Sequence, residues 1–156
     1  MSPRTDSHPQ SPAGGRALRW FFGGLLEIKA GAADTNGRYT LVEIECPAGL
    51  EAPLHVHHTE DEGFHVLEGS IAITVGEETV ELGPGEHVFG PRDVPHSYRV
   101  GPDGVRMLWI LTPAGFEDFV AEAGVPALAP TLPPADVLPP DDVAEIALRH
   151  GKEILA

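Results

Sequence analysis

The segment GLEAPLHVHHTEDEGFHVLEG, residues 49–69, carries the strongest structural information in this sequence. It holds four of the eight histidines of the chain, close to three consecutive acidic residues at 60–62. Residues two apart on a β-strand point to the same face, so His55 and His57 would present two imidazoles side by side. A carboxylate from the next strand and His96, which follows a proline at the start of another strand, could complete a site for a divalent transition metal.

On both sides of this segment, residues 18–112 divide into short alternating or β-rich stretches separated by turn signals such as Gly-Pro-Gly at 83–85. We expect nine short strands, at residues 19–29, 38–45, 54–58, 62–67, 70–75, 78–82, 87–89, 96–100 and 105–112. So many short strands in one domain predict an all-β fold of two packed antiparallel sheets.

The pattern changes after Thr112. Apolar residues at helical spacing predict a short amphipathic helix that ends at Gly124, with a buried face of Phe116, Phe119, Val120 and Ala123. A Pro-rich segment follows, and a second helix is expected to begin at Asp141 or Asp142 and to carry Val143, Ile146, Ala147 and Ile154. Residues 1–17 lack periodicity and are expected to form a disordered tail. The predicted organisation is therefore a tail at 1–17, a barrel at 18–112 and a helical extension at 113–156 that packs on the barrel.

Composition and charge exclude several classes of function. The 156 residues suit one domain, and 24 acidic against 10 basic residues give a net charge of −14, which would repel a phosphate backbone. No apolar run approaches the roughly 18 residues that span a bilayer. The single cysteine, Cys46, is expected to be a small buried residue, and the start of the chain has no secretory pattern. We therefore predict a cytoplasmic protein that binds neither nucleic acid nor membrane.

The spacing in the first segment is specific. Gly49, five residues, His55, one residue, His57, four residues, Glu62, six residues and Gly69 resembles the first signature of the cupin superfamily at every defined position. This resemblance implies an all-β double-stranded β-helix, also called a cupin or jelly-roll barrel, with short C-terminal α-helices.

A second segment resembles the other signature of that superfamily, through Gly85, Pro91 and His96. It departs from the pattern at two places: Asp93 stands where glycine is usual, and Val100 stands where asparagine is usual. Asp tolerates positive φ better than most residues, so we expect the turn at Asp93 to be kept. Neither departure removes a ligand.

The resemblance implies that one divalent transition metal ion is bound by His55, His57, Glu62 and His96. The residues alone leave Glu60 and Asp61 as rival carboxylates, and the family pattern favours Glu62 because it lies seven residues before Gly69. Strand alternation turns His58 and His65 away from their ligand neighbours. A His/Glu site selects weakly among metals, so iron, nickel, manganese, cobalt and zinc all remain candidates.

A longer set of fragments resembles the small bacterial quercetin 2,3-dioxygenase-like monocupins across residues 19–155. These fragments are Arg-Trp-Phe at 19–21, His-Val-His-His at 55–58, Gly-Pro-Arg-Asp-Val-Pro-His at 90–96 and Thr-Pro-Ala-Gly-Phe-Glu-Asp-Phe at 112–119. In such enzymes the metal binds the deprotonated 3-hydroxyl of a flavonol, the ligand glutamate acts as base, and dioxygen opens the central ring with loss of carbon monoxide. The resemblance implies that Glu62 is the catalytic base, that the partners are a small aromatic substrate and dioxygen, and that the protein is a homodimer.

Two other functions stay open at this point. Similar small cupins act without oxygen as polyketide cyclases, isomerases or lyases, in which the metal polarises a carbonyl. A non-catalytic cupin that holds a small molecule is the third possibility, although an idle pocket has no chemical need for four ligands.

The substrate pocket is expected to be apolar and aromatic. Strand alternation from the ligands gives five candidate substrate-binding residues, which are Phe64, Val66, Tyr98, Met107 and Trp109. The alternative for each is an ordinary core residue. The aromatic run at 20–22 could either cover the mouth of the barrel or pack in a dimer interface.

Overall fold

The computed structural model describes residues 17–156, so the tail predicted at the N-terminus lies almost wholly outside the described residues. Within that range the chain forms ten strands and three short helices. In chain order they are β1 (Ala17–Phe21), β2 (Gly24–Ala30), α1 (Ala32–Thr35), β3 (Thr40–Cys46), β4 (Glu51–His57), β5 (Asp61–Val75), β6 (Glu78–Leu82), β7 (His87–Gly90), β8 (His96–Thr112), α2 (Phe116–Ala123), β9 (Val125–Pro126), α3 (Val143–Arg149) and β10 (Lys152–Ile154).

Antiparallel pairing links all ten strands. One path runs β10-β4-β8-β3-β2-β1-β9, and β5 pairs with β6, β7 and β8. The two long strands β5 and β8 run beside each other from the pair Asp61↔Thr112 to the pair Val75↔His96. Because β8 also pairs with β3 along one half and with β4 along the other, the sheet curls around a cluster of buried apolar side chains. The predicted all-β barrel is confirmed.

Two pairs of predicted strands are each one continuous strand. Residues 62–67 and 70–75 both belong to β5, and 96–100 and 105–112 both belong to β8. Irregular register after Val66 and after Gly69 shifts the buried face of β5 from even to odd positions, as β-bulges do. Gly69 is required there, since a Cβ would lie 2.0 Å from the carbonyl oxygen of Gly104. The sequence pattern divides each of these long strands into two at its irregular segment.

The predicted strand at 19–29 is instead a hairpin of β1 and β2. Phe21 and Gly24 are paired residues, and Phe22 and Gly23 form the two-residue turn with φ of 47° and 83°. Positive φ at both central residues is typical of the tight turns that match the twist of hairpin strands. A bulky residue rarely adopts this conformation, so the Phe-Gly pair gave no recognisable turn signal.

The C-terminal region agrees with the prediction in its first helix and differs at its end. Helix α2 buries the four expected residues, and α3 buries Ile146 and Ala147. Ile154 was expected on the second helix, and that prediction is wrong, because Gly151 adopts φ of 73° after α3 and the chain continues as β10. Strand β10 pairs with β4, while α2 contacts α3 and β1.

Cys46 lies at the end of β3 and is buried, as expected. Burial raises the pKa of its thiol to about 12, although a hydrogen bond with Tyr98 opposes the shift. The thiol is therefore protonated and unreactive in the folded protein. None of the helices within residues 17–156 has the length and apolar character that crossing a bilayer requires.

Candidate metal centre

Three strands bring the four predicted ligands together. His55 and His57 come from β4, Glu62 from β5 and His96 from β8. One ligand atom from each of these residues lies within 4.8 Å of all the others. His57, Glu62 and His96 are buried and His55 is partly buried, so the cluster is shielded from bulk water.

The Glu62 carboxylate lies at the middle of the cluster. Its Oε1 atom is 3.3 Å from His57 Nε2 and 3.2 Å from His96 Nε2. The rings of His57 and His96 are nearly parallel, with centroids 5.1 Å apart, and the His55 ring meets the His96 ring edge-on at 4.3 Å. Three imidazoles and one carboxylate therefore point into one small volume.

Hydrogen bonds on the far sides of two rings set their orientation. His55 Nδ1 donates to the carbonyl oxygen of Pro53 at 2.7 Å, and His57 Nδ1 donates to Glu60 Oε1 at 3.0 Å. Both bonds leave Nε2 facing the cluster with its lone pair available. Metal-binding histidines in proteins are oriented in the same way by a carbonyl or carboxylate behind the ring.

His96 supplies a test of whether the cluster fits a metal. Its ring is buried, and neither nitrogen forms a hydrogen bond of acceptable geometry with any of the described residues. An unsatisfied buried polar group is unfavourable, so a buried imidazole is expected to have a partner. A transition metal bound to His96 would supply that partner, and the His/Glu donor set suits one. The residues present therefore fit a divalent ion.

The environment keeps two of the donors, His55 and Glu62, in the forms that bind metals. Burial, helped by the neighbouring His96, lowers the pKa of His55 to about 4, so this imidazole is neutral at physiological pH. Burial alone would raise the pKa of Glu62, but the facing imidazoles outweigh it and the pKa is lowered. Glu62 is consequently a carboxylate at neutral pH.

The two rival carboxylates have other roles. Burial opposes ionisation of Glu60, but hydrogen bonds from His57, Lys152 and Thr59 outweigh it and hold its pKa at about 2. Asp61 instead accepts from the backbone N–H of Arg92 at 2.9 Å and pairs with its guanidinium. Neither residue belongs to the cluster, whereas Glu62 does.

The other histidines near the cluster also have different partners. His58 bonds with Asp93 Oδ1 at 2.7 Å and with Glu153 Oε1 at 3.3 Å. His65 lies across from His87 on the β5/β7 pair, with ring centroids 5.6 Å apart. Asp93 adopts φ of 67°, so the turn keeps the positive φ expected of it without glycine.

A cavity adjoins the cluster, with an empty volume of about 690 Å³ including the space at its opening. Of the five predicted substrate-binding residues, Phe64, Tyr98 and Trp109 line the cavity. Val66 and Met107 are fully buried in the core and are not among the lining residues. Val66 shares the buried face of β5 with the lining residue Phe64, and Met107 shares the buried face of β8 with the lining residue Trp109.

Several lining residues come from elements outside the predicted pocket. Phe21 and Phe22 reach it from the N-terminal hairpin, and the C-terminal region supplies Phe116, Phe119, Ala147, Lys152 and Ile154. The aromatic run at 20–22 was the only sequence signal for any of these contributions. Nothing in the local sequence pattern distinguished Lys152.

The barrel and its buried His₃Glu cluster define the class of this molecule as a β-barrel protein with a candidate mononuclear metal centre beside a small-molecule cavity. A family model described as the cupin domain matches residues 42–111. An uncharacterized protein of Streptomyces coelicolor is 36% identical over 97 residues, which cover 57% of this chain and 92% of that protein. The chain belongs to the cupin family.

Two further similarities extend this result. Quercetin 2,3-dioxygenase of Bacillus subtilis is 31% identical over 102 residues, which cover 65% of this chain but only 30% of the length of that enzyme. The solved structure of an RmlC-like cupin from Shewanella frigidimarina superposes with a TM-score of 0.61 at 24% identity, covering 73% of this chain and 97% of that chain. The structural likeness supports the barrel fold.

Proposed function

We propose that the protein is a mononuclear metal-dependent dioxygenase that opens a flavonol-like or other enolisable aromatic substrate. The proposed metal ligands are His55, His57, Glu62 and His96, and the proposed base is Glu62. Similarity to the Bacillus quercetin 2,3-dioxygenase supports the reaction type. The cytoplasmic location, the homodimeric state and the predicted domain boundaries stay predictions.

The observation that carries this proposal is the position of Glu62 at the wall of an aromatic cavity. Glu62 lines the cavity together with the three histidines, and seven other lining residues are Phe, Tyr or Trp. Flat rings on several sides suit a flat aromatic substrate, and their apolar surfaces exclude water from the carboxylate. A buried carboxylate beside such a substrate can remove a proton from an enolic hydroxyl within hydrogen-bond reach.

The other residues of the cavity would orient the substrate. Trp109 has a buried indole N–H without a hydrogen-bond partner among the described residues, and an oxygen atom of the substrate would provide one. Phe64 and Phe116 each meet the Trp109 ring edge-on, which fixes the plane of the indole. A bound divalent ion would supply stabilisation of the enolate and, for a metal that supports oxygen chemistry, the reaction with dioxygen.

The proposed reaction incorporates both atoms of dioxygen while the central ring of the flavonol loses one carbon as carbon monoxide. To test it, we would strip the protein and reload it separately with iron, nickel, manganese, cobalt or zinc. Oxygen uptake and loss of the flavonol absorption band are then measured together. We expect turnover with at least one of the first four metals and none with zinc.

The variant Glu62→Gln tests the base. Removal of a general base typically lowers turnover by about 10² to 10⁴. Glu68→Gln is the matched control, since Glu68 lies on the same strand with an exposed side chain that pairs with Arg106. Metal content is measured in both variants, so that loss of the ion is distinguished from loss of the base. Unchanged turnover in Glu62→Gln would move the base to another group, and no oxygen uptake by fully loaded protein would favour a non-oxidative cyclase, isomerase or lyase.

A further inference from the structure

One of the two lysines of the chain is buried. Lys152, the first residue of β10, is only 5% exposed, whereas the side chain of Lys29 is 36% exposed. Burial of an ammonium group is unfavourable unless the charge is paired and its N–H groups are bonded. The contacts that offset this penalty therefore indicate what Lys152 does.

The Lys152 ammonium is held from several sides. Nζ donates to Glu60 Oε1 at 2.6 Å and to the carbonyl oxygen of His150 at 2.7 Å. It also lies 5.5 Å from the centre of the Phe116 ring and 5.7 Å from that of Phe119. Aromatic faces attract cations at such distances. The ammonium is thus fixed in one position against Glu60.

Glu60 links the Lys152 ammonium to His57 through hydrogen bonds. The carboxylate accepts from Lys152, from the hydroxyl of Thr59 and from His57 Nδ1. An ionised carboxylate can only accept, so His57 carries its proton on Nδ1 and directs the lone pair of Nε2 toward the cluster. His57 and Lys152 are also paired residues across β4 and β10, which places their side chains on the same face of the sheet.

The turn before β10 is built for this placement. Gly151 adopts φ of 73°, and its carbonyl oxygen accepts from the backbone N–H of His58 at 2.7 Å. A Cβ on Gly151 would lie 2.4 Å from Thr59 Cγ2. The chain therefore passes directly over residues 58–60 before Lys152 enters the barrel.

We propose that Lys152 is a positioning residue of the metal centre, which acts through Glu60 to fix the orientation and tautomer of His57. This inference rests on the proposed metal centre and adds β10 to it. Lys152 contacts none of the four proposed ligands through a hydrogen bond or ion pair among the described residues, so its effect on the metal is indirect.

A purely structural role predicts a different outcome. Replacing a buried ion pair by apolar groups is often neutral for stability. A pair that serves only to hold β10 in place could thus be removed without effect on His57. A pair that orients a ligand could not, because outer partners of ligand histidines typically contribute about 10-fold to 100-fold in metal affinity.

The experiment uses Lys152→Met, with Lys29→Met as the matched control at a more exposed ion pair. In metal-free protein, nitrogen-15 NMR of the histidine rings reports the tautomer of His57. We expect the Nδ1–H form in the wild type and in Lys29→Met, and a mixture of tautomers in Lys152→Met. Zinc affinity, measured by competition with a chelator, should fall about 10-fold to 100-fold in Lys152→Met only.

If Lys152→Met fails to fold, the double variant Glu60→Gln/Lys152→Met removes both charges and avoids an isolated buried carboxylate. We expect the same mixture of tautomers and the same loss of zinc affinity in this variant. A folded variant that keeps a single His57 tautomer and native zinc affinity overturns the inference. A wild-type protein that binds no zinc overturns the proposed centre and this inference together, which the wild-type titration distinguishes from failure of the inference alone.

Discussion

The barrel strands and the C-terminal region contribute to the same cavity in different ways. Strands β4, β5 and β8 supply the four clustered residues, of which three lie within residues 55–62 and the fourth, His96, begins β8. Helices α2 and α3 and strand β10 supply aromatic wall residues and a buried ammonium from positions 50 to 100 residues away. Three of the four clustered residues are therefore encoded in one short segment, whereas the enclosure of the site depends on tertiary packing.

The largest expected effect is a loss of bound metal when one clustered residue of the barrel strands is removed. His96→Ala removes a buried, proposed ligand from β8, and we expect metal content to fall from about one ion per chain to almost none while the fold is retained. The matched control is His65→Ala, since His65 lies on β5 outside the cluster and faces His87. Elemental analysis after gel filtration measures the ion, and circular dichroism measures the fold. Full metal content in His96→Ala would remove this residue from the site.

The next effect concerns stability and belongs to the C-terminal region. Ile146 on α3 is buried and does not line the cavity. Ile146→Ala should lower the free energy of unfolding by about 2–4 kcal/mol, as truncation of buried aliphatic side chains does. Leu148, on the same helix, is 61% exposed, so Leu148→Ala should change it by less than about 0.5 kcal/mol. Urea denaturation compares the two.

The same variants also test whether α3 affects the proposed metal centre. In folded Ile146→Ala, zinc affinity should stay within a few-fold of the wild type, because the proposed ligands lie on barrel strands. A large loss of affinity would mean that α3 takes a more direct part in positioning the ligands than its contacts suggest.

The smallest effect concerns Glu117, which connects α2 to the barrel, and its contribution to stability depends on pH. Glu117 at the start of α2 accepts from the backbone N–H of Ala32 at 2.6 Å and from Thr40 Oγ1 at 2.5 Å. Burial opposes ionisation, but these bonds outweigh it and lower the pKa of Glu117 below its usual 4.5. Because the folded state favours the carboxylate, this stabilisation is present above about pH 4.5 and is lost as the pH falls through the lowered pKa.

Glu117→Gln should therefore destabilise the protein by about 1.5–3 kcal/mol at pH 7, the range for hydrogen bonds to a charged group. The difference from the wild type should shrink below pH 4.5, where the wild-type side chain becomes protonated. Thermal unfolding across this pH range measures it. Asp118→Asn is the control, since Asp118 is exposed on the same first turn. A difference that stays constant with pH would assign the effect of Glu117 to packing rather than to charge.

The sequence predicted the barrel and the residues that meet in the His/Glu cluster, because strand periodicity and motif spacing carry both. Alternation along β4 placed His55 and His57 together, and family spacing selected Glu62 over its two acidic neighbours. Prediction from sequence failed where the geometry depends on contacts between residues far apart in the chain. The sequence pattern divided β5 and β8 at their irregular segments, since a glycine at a bulge and a glycine at a turn look alike in sequence.

Lys152 shows the same limit at the site. Its role follows from pairing of β10 with β4 and from the approach of Glu60, and neither contact has a local signature. The helical spacing that predicted α3 was extended to Ile154, although Gly151 ends the helical region before that residue. Glycine with positive φ after a helix is a common termination signal, and Gly151 is that signal after α3.

Cys46 makes the unfolding of this protein observable through covalent labelling. The chain has one thiol, which is buried beside Tyr98, and burial raises its pKa to about 12. A thiol reagent can react only after the barrel opens around β3, because the thiolate is the reactive form and the sulfur must be accessible. The labelling rate therefore reports how often the core opens under native conditions. A lower rate in the presence of added metal would measure how much a bound ion stabilises the folded barrel.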